Sequence, residues 1–172
     1  MLIGGNCVEE RLLVDSTLIK LGKRLRIIGF DVEIVLSKNV LEVLRKGKSE
    51  GRTIITKNSK LFQKAQEYGV ACVLLKSNDL GEQLRELSRV LKFKPSSSRC
   101  PECNVRLQPV PKEKVFEKVP LFVFLSHEEF STCEKCRRIY WRGSHFSSMS
   151  SLFEEVGKDG KVGEVDERAP RT

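Results

Sequence analysis

The sequence predicts an α/β domain on a parallel sheet with helices on both faces, followed by a small zinc-bearing module. Four strand-like runs, each followed by a helix-like stretch, fill residues 1–94. The composition breaks at Lys94-Pro95-Ser96-Ser97-Ser98, which reads as a domain boundary. Beyond it lie two Cys-x-x-Cys pairs and little helical period.

The first unit runs from Arg11 to Asp31 and organises the rest. Leu12-Leu13-Val14 is a short apolar run of the kind that makes a buried parallel strand, and it ends on an acid, Asp15. Ser16 and Thr17 suit a helix N-terminus; Leu18, Leu21, Leu25 and Ile28 then recur at helical spacing, with Lys20, Lys23 and Arg24 on another face. Gly29 stops the helix. Residues 1–10 read as a lead-in containing the isolated Cys7. Asp31 to Ser37 alternates and is β-branched, a second strand, and Asn39-Val40-Leu41-Glu42 has capping-box spacing for a helix to about Lys48. Arg52 to Lys57 is a third strand, with Asn58-Ser59 opening a helix that Gly69 ends. Ala71 to Ser77 is a fourth, containing Cys72 as a small core residue. Asp79-Leu80-Gly81-Glu82 repeats the capping-box spacing before a helix through Leu91.

The formal charge is +8 over 172 residues, and it is unevenly spread. Residues 1–97 hold 18 Lys and Arg against 11 Asp and Glu (net +7); residues 98–150 are net +3 and residues 151–172 net −2. A basic module favours polyanions, nucleic acid first. No apolar run reaches membrane-spanning length and no N-terminal signal pattern is present. The expectation is a soluble intracellular protein, cytoplasmic or nuclear rather than secreted, without a membrane partner. Three segments follow: 1–94, an α/β domain; 98–150, a zinc ribbon; and 151–172, a mobile polar tail.

Cys100, Cys103, Cys133 and Cys136 form two knuckles, each able to present two thiolates to one tetrahedral Zn²⁺. Lys118 to Phe124 and Phe130 to Thr132 are the candidate ribbon strands between them, and the zinc is expected to support the C-terminal module alone. The rival reading is redox-active dithiols, but neither pair sits at a strand–helix junction. His127 and His145 are not needed as ligands.

In a parallel sheet Asp15, Asn58 and Asp79 all follow strands and belong on the carboxyl edge, where α/β folds bind ligands. Glu82, three residues past Asp79, faces the same way. Converging oxygens on such an edge suit Mg²⁺ or Mn²⁺, which polarises a phosphate and activates water. The plainer alternative is that Asp15, Asp79 and Glu82 serve as helix caps. Asp31 starts the second strand and belongs at the opposite edge.

The succession LLVDSTLIKLGKRLRIIGFD, GRTIITKNSKL, VLLKSNDLGEQL and RCPECN…CEKCRRIYWRGSH resembles the Mut-seven C-terminal ribonuclease family, from about Arg11 to Phe146. The resemblance implies a PIN-like three-layer α/β/α domain with a central parallel sheet, a zinc ribbon after it, and single-stranded RNA as substrate. Its pattern has Thr-Arg-Asp where this chain has Thr56-Lys57-Asn58, and acids after the second strand where this chain has Ser37-Lys38-Asn39. Asn58 offers a carbonyl but no charge, so a site of Asp15, Asp79 and Glu82 would hold Mg²⁺ more weakly.

Two functions follow as expectations. One is a Mg²⁺- or Mn²⁺-dependent ribonuclease of RNA processing or decay, with Asp15 and Asp79 as ligands, Glu82 and Asn58 assisting, and structural Zn²⁺ apart. Lys20, Lys23 and Arg24 would hold phosphates near the positive end of the first helix, with Lys57 and Arg142 as further RNA contacts. The other is a catalytically weak RNA-binding or protein-interaction module of a processing assembly, with protein partners or a larger parent chain.

Overall fold

The computed structural model describes residues 10–91 and 97–141. In chain order the first module is β1 (Arg11–Val14), α1 (Ile19–Ile27), β2 (Asp31–Ile34), α2 (Val40–Glu50), β3 (Thr53–Thr56), α3 (Ser59–Glu67), β4 (Cys72–Leu74) and α4 (Leu80–Ser88). All four strands are parallel, in the order β2-β1-β3-β4. Two separate cores make three layers. On one face Leu18, Leu21, Leu25 and Ile28 of the α1 region and Leu84 and Leu87 of α4 pack on Leu12, Val14, Val32 and Ile55. On the other Val43 and Leu44 of α2 and Leu61 and Ala65 of α3 cover Leu13 and Ile54. Alternating strand residues thus feed opposite cores, which is why the strands read as unbroken apolar runs.

Two glycines set how closely the helices approach the sheet. A β-carbon at Gly22 of α1 would stand 2.7 Å from Val14 Cγ2, and one at Gly47 of α2 would stand 2.8 Å from Ile54 Cδ1. At either position a side chain would force its neighbour to shift, one on each face of the sheet.

The elements start and stop on identifiable chemistry. Asn39, Asn58 and Asp79 each cap the helix that follows by accepting from its first amides. The expected capping box at Asn39 is only half made, because Glu42 accepts from Ser37 Oγ at 2.6 Å. Helix α1 begins later than its Ser16-Thr17 start predicts. Asp15 accepts through its carbonyl from Leu18 N at 3.1 Å and through its side chain from Thr17 N at 2.9 Å. Residues 15–18 are therefore a turn, and Ile19 is the first helical residue.

The second module is a three-stranded antiparallel sheet, β5 (Gln108–Val110), β6 (Phe130–Thr132) and β7 (Ile139–Trp141), in that order, with a 3-10 turn at Lys112–Val115 and α5 (Leu121–Ser126) between its first two strands. Phe130–Thr132 is a strand as expected. Lys118 to Phe124 is not: Pro120 stands ahead of α5 and its carbonyl accepts from Phe124 N at 3.0 Å, so the apolar run coils into a helix. Leu121, Phe122 and Leu125 of that helix are exposed. The break at Lys94–Ser96, Cys7, Arg142, His145 and the expected tail 151–172 lie outside the described residues.

Candidate functional site

The four cysteines come together. Their sulfur atoms all lie within 4.8 Å of one another, with Cys100 and Cys133 fully buried. Zn–S bonds of about 2.3 Å at tetrahedral angles require sulfurs about 3.8 Å apart, and Cys100 Sγ stands 3.7 Å from Cys136 Sγ. The two knuckles are built alike. In each, the residue after the second cysteine (Asn104, φ 60°; Arg137, φ 61°) turns left-handed, and its N–H bonds the carbonyl of the first cysteine. As free thiols, Cys136 is lowered to about 7 by the Arg138 N–H, while Cys103 and Cys133 are raised by burial. Donor set and spacing fit a closed structural zinc site. His127 is not in this group; its Nδ1 lies 2.8 Å from Ser126 Oγ.

The carboxyl edge is organised differently. The order β2-β1-β3-β4 puts the topological switch point between β1 and β3, where successive connections leave in opposite directions. Asp15 follows β1 there and is only 4 % exposed. Its Oδ1 accepts from the Thr17 amide and hydroxyl, and its Oδ2 from the Thr56 hydroxyl at the end of β3. Thr56, fully buried, in turn accepts from Asn58 N at 2.9 Å. Asp15 is thus a buried acid clasped by two threonines. Neither threonine was evident as part of a site in the sequence, because the Thr56 contact arises only from the pairing of β1 with β3. The negative charge of Asp15 adds to burial in pushing the nearby Cys72 thiol up to about 12, so Cys72 is an inert core group.

The other candidate ligands keep to local roles. Asn58 Oδ1 accepts from Lys60 N and Leu61 N at 3.0 and 3.3 Å. Asp79 Oδ1 accepts from Glu82 N at 3.0 Å, and Glu82 pairs with Arg85. Both acids are exposed. β4 is the second neighbour of β1, about 10 Å away at the usual strand spacing. Among the described residues only the cysteines form a group of three or more ligand side chains within 4.8 Å.

The cations divide too. Lys20 lies in the first turn of α1 and is exposed, whereas Arg24 lies in its last turn, away from the helix's positive end. Lys23 Nζ bonds both oxygens of Glu102 at 2.8 and 2.9 Å. Lys57 is half-buried between Thr56 and Asn58.

The Lys23–Glu102 pair belongs to a contact joining the modules at the amino edge of the sheet, the edge opposite Asp15. Arg26, 5 % exposed, donates Nε to Val32 O at 2.8 Å and NH1 to the Pro101 and Glu102 carbonyls at 2.7 and 3.2 Å. Arg99 N bonds Arg26 O at 2.8 Å. Asn104 donates to Asp31 Oδ1 at 2.7 Å and accepts from Val32 N at 3.2 Å. Asp31 starts β2, as expected, and also takes Arg52 NH1 at 2.9 Å. Burial alone would raise the Asp31 carboxyl, but the bonds from Arg52 and Asn104 outweigh it and hold it below its ordinary value. A depressed acid contributes stability that is present above its unfolded pKa and lost as pH falls through the folded one. Urea unfolding at pH 7 should therefore find Asp31→Asn about 1–3 kcal/mol less stable. That gap should close below the ordinary carboxylate range, about pH 4. A gap that stays constant with pH would remove the charge from the account.

A parallel α/β domain with a buried acid at its switch point, carrying a four-cysteine ribbon, defines the class. The chain matches the model of the Mut7-C RNAse domain over residues 10–153, well over half its length, and belongs to that family. Compared with curated proteins, it matches none. The family implies a ribonuclease-like function, with RNA as the suggested substrate. No helix among the described residues is long and apolar enough to cross a membrane.

Proposed function

We propose that the chain is a metal-dependent ribonuclease of single-stranded RNA in which Asp15 is the working carboxylate. The supporting observation is the clasp: an acid 4 % exposed at the switch point, both oxygens oriented by threonine donors. A fold that only needed a cap would not require an acid there, since α1 begins four residues later. Bound Mg²⁺ or Mn²⁺ would supply phosphate polarisation and an activated water. One fixed carboxylate fits Mg²⁺, which is commonly held by one or two carboxylates together with waters and substrate phosphates. Asn58 and Asp79 would join only by giving up their cap bonds. Lys20 is the exposed cation best sited for an adjoining phosphate.

A second reading has its own support. Asn58, Asp79 and Glu82 are all engaged in capping or pairing, as in a module that binds RNA and cuts it weakly or not at all. A cleavage time course on single-stranded RNA separates the two. Asn58→Asp should keep the helix cap, since aspartate caps as well as asparagine, while adding charge that strengthens metal binding and raises the rate. Asp15→Asn, alone or combined with it, should abolish cleavage, and Mn²⁺ should support the wild type better than Mg²⁺. RNA that is bound but left intact by both wild type and Asn58→Asp, with either metal, would leave the binding module.

A further inference from the structure

We propose that the cleft between α1 and the ribbon is a second RNA subsite, which stacks an unpaired nucleobase on Trp141 about four nucleotides away from Asp15. The proposal rests on the ribonuclease reading and adds an anchoring site to it. The cleft encloses about 790 Å³, with Ile27 of α1 on one wall and Leu107, Pro109, Tyr140 and Trp141 of the ribbon on the others. Trp141, the single tryptophan, ends β7 and is 40 % exposed. An edge contact with His127, ring centroids 6.2 Å apart, steadies its plane. Exposed aromatics beside cations are how proteins hold single strands, because every base has a face to stack.

Charge selects the nucleic acid. Lys20, Arg24 and Ile27 lie four and three residues apart and so form one stripe of α1, while Lys23 beside them is paired with Glu102 at 2.8 Å. The stripe starts beside the Asp15 turn and ends in the cleft, where Ile27 forms the wall. The nine residues of α1 span about 13 Å at 1.5 Å each, the length of about four stacked nucleotides at 3.4 Å. Phosphates thus follow the helix while a base enters the cleft. The acids on the cleft wall fit this division. Glu128 is balanced by Lys112 at 2.6 Å and Glu129 lines the wall beside it, and carboxylates accept from the amino groups of bases while repelling phosphate. An aromatic, proline-bearing cleft also suits a basic proline-rich peptide, but a cationic stripe leading into it favours a polyanion.

The test uses the full zinc-loaded chain and single-stranded oligocytidylates of two to twelve nucleotides, without added Mg²⁺ or Mn²⁺. Trp141 fluorescence should be quenched, with the same midpoint as the anisotropy of a labelled 12-mer. Affinity should rise steeply once an oligomer is long enough to reach from the Asp15 turn to the cleft. Trp141→Ala should weaken the 12-mer about tenfold, and Trp141→Phe should keep most of the affinity, since stacking needs only a ring. Should Trp141→Ala lose its zinc or its ribbon fold, Pro109→Glu on the exposed wall of the same cleft reads the same loss. A 12-mer that binds by anisotropy with unchanged fluorescence, or binds folded Trp141→Ala as tightly as wild type, overturns the cleft and leaves the Asp15 reading standing. Absence of binding by either measure overturns both. Quenching by a basic proline-rich peptide and not by RNA would overturn the proposal in favour of a protein partner.

Discussion

Stripping the metal from the four cysteines should loosen the α/β domain as well as the ribbon. A structural zinc contributes its folding energy where its ligands are, which by itself confines the effect to the C-terminal module. The first knuckle, however, is also the surface against which the α/β domain satisfies its buried groups. Pro101 and Glu102 give their carbonyls to Arg26, and Asn104, held left-handed by the knuckle turn, bonds both Asp31 and the Val32 amide. If the knuckle opens, Arg26 keeps only Val32 O among these partners. Burial already lowers its pKa, the sign of a charge that burial disfavours. Hydrogen bonds to a charged group contribute about 1.5–3 kcal/mol net, and those to Pro101 and Glu102 are lost with the knuckle. Cys133→Ser, or wild type treated with a zinc chelator, should therefore lose hydrogen-exchange protection in β2 and the last turn of α1. The α2–α3 face, which packs on the other core, should keep its protection. The Val32 amide is the most direct probe, since its acceptor comes from the ribbon. Unchanged exchange at Val32 after the ribbon has melted would mean the contact contributes nothing to the domain.

Why the sequence announced the zinc knuckles and the strand–helix order, yet not this contact, is a matter of range. Cys-x-x-Cys spacing, the Leu18-Leu21-Leu25-Ile28 stripe and the caps at Asn39, Asn58 and Asp79 are set by bonds within a few residues of one another. Asp15 was legible as the acid ending an apolar run, and Asp31 as a residue of the far edge. Arg26 reads as one more cation on a basic helix until Pro101, 75 residues later, is brought to it. Thr56 likewise reads as one residue of the strand expected from Arg52 to Lys57, because only the β1–β3 pairing carries it to Asp15. The strand expected at Lys118 to Phe124 failed for the opposite reason. Its Val and Phe content favours a strand, but the local stop at Pro120 decided the backbone. Asp79 and Glu82 read as acids of the carboxyl edge because Asp79 follows the fourth strand, while their cap and ion pair are local bonds.

Replacing Thr56 by valine should slow RNA cleavage by about 10- to 100-fold, the usual loss when a partner that orients a metal-binding carboxylate is removed. Valine keeps the volume and the β-branch but not the hydroxyl, so β3 should still form. Asp15 Oδ2 then loses its donor, and the Asn58 amide loses its acceptor, both bonds made by the fully buried Thr56. The carboxylate would be free to turn, and the metal concentration for half-maximal rate should rise. Thr56→Ser restores the hydroxyl on a smaller side chain, so it should recover the metal midpoint even if it unfolds more readily. That split distinguishes orientation of Asp15 from simple loss of packing, which serine would not repair. The measurement is a Mn²⁺ titration of the cleavage rate for wild type, Thr56→Val and Thr56→Ser, with thermal unfolding of each. If Thr56→Val matches wild type in both rate and metal midpoint, the Thr56 hydroxyl serves the fold alone and does not orient Asp15 for cleavage.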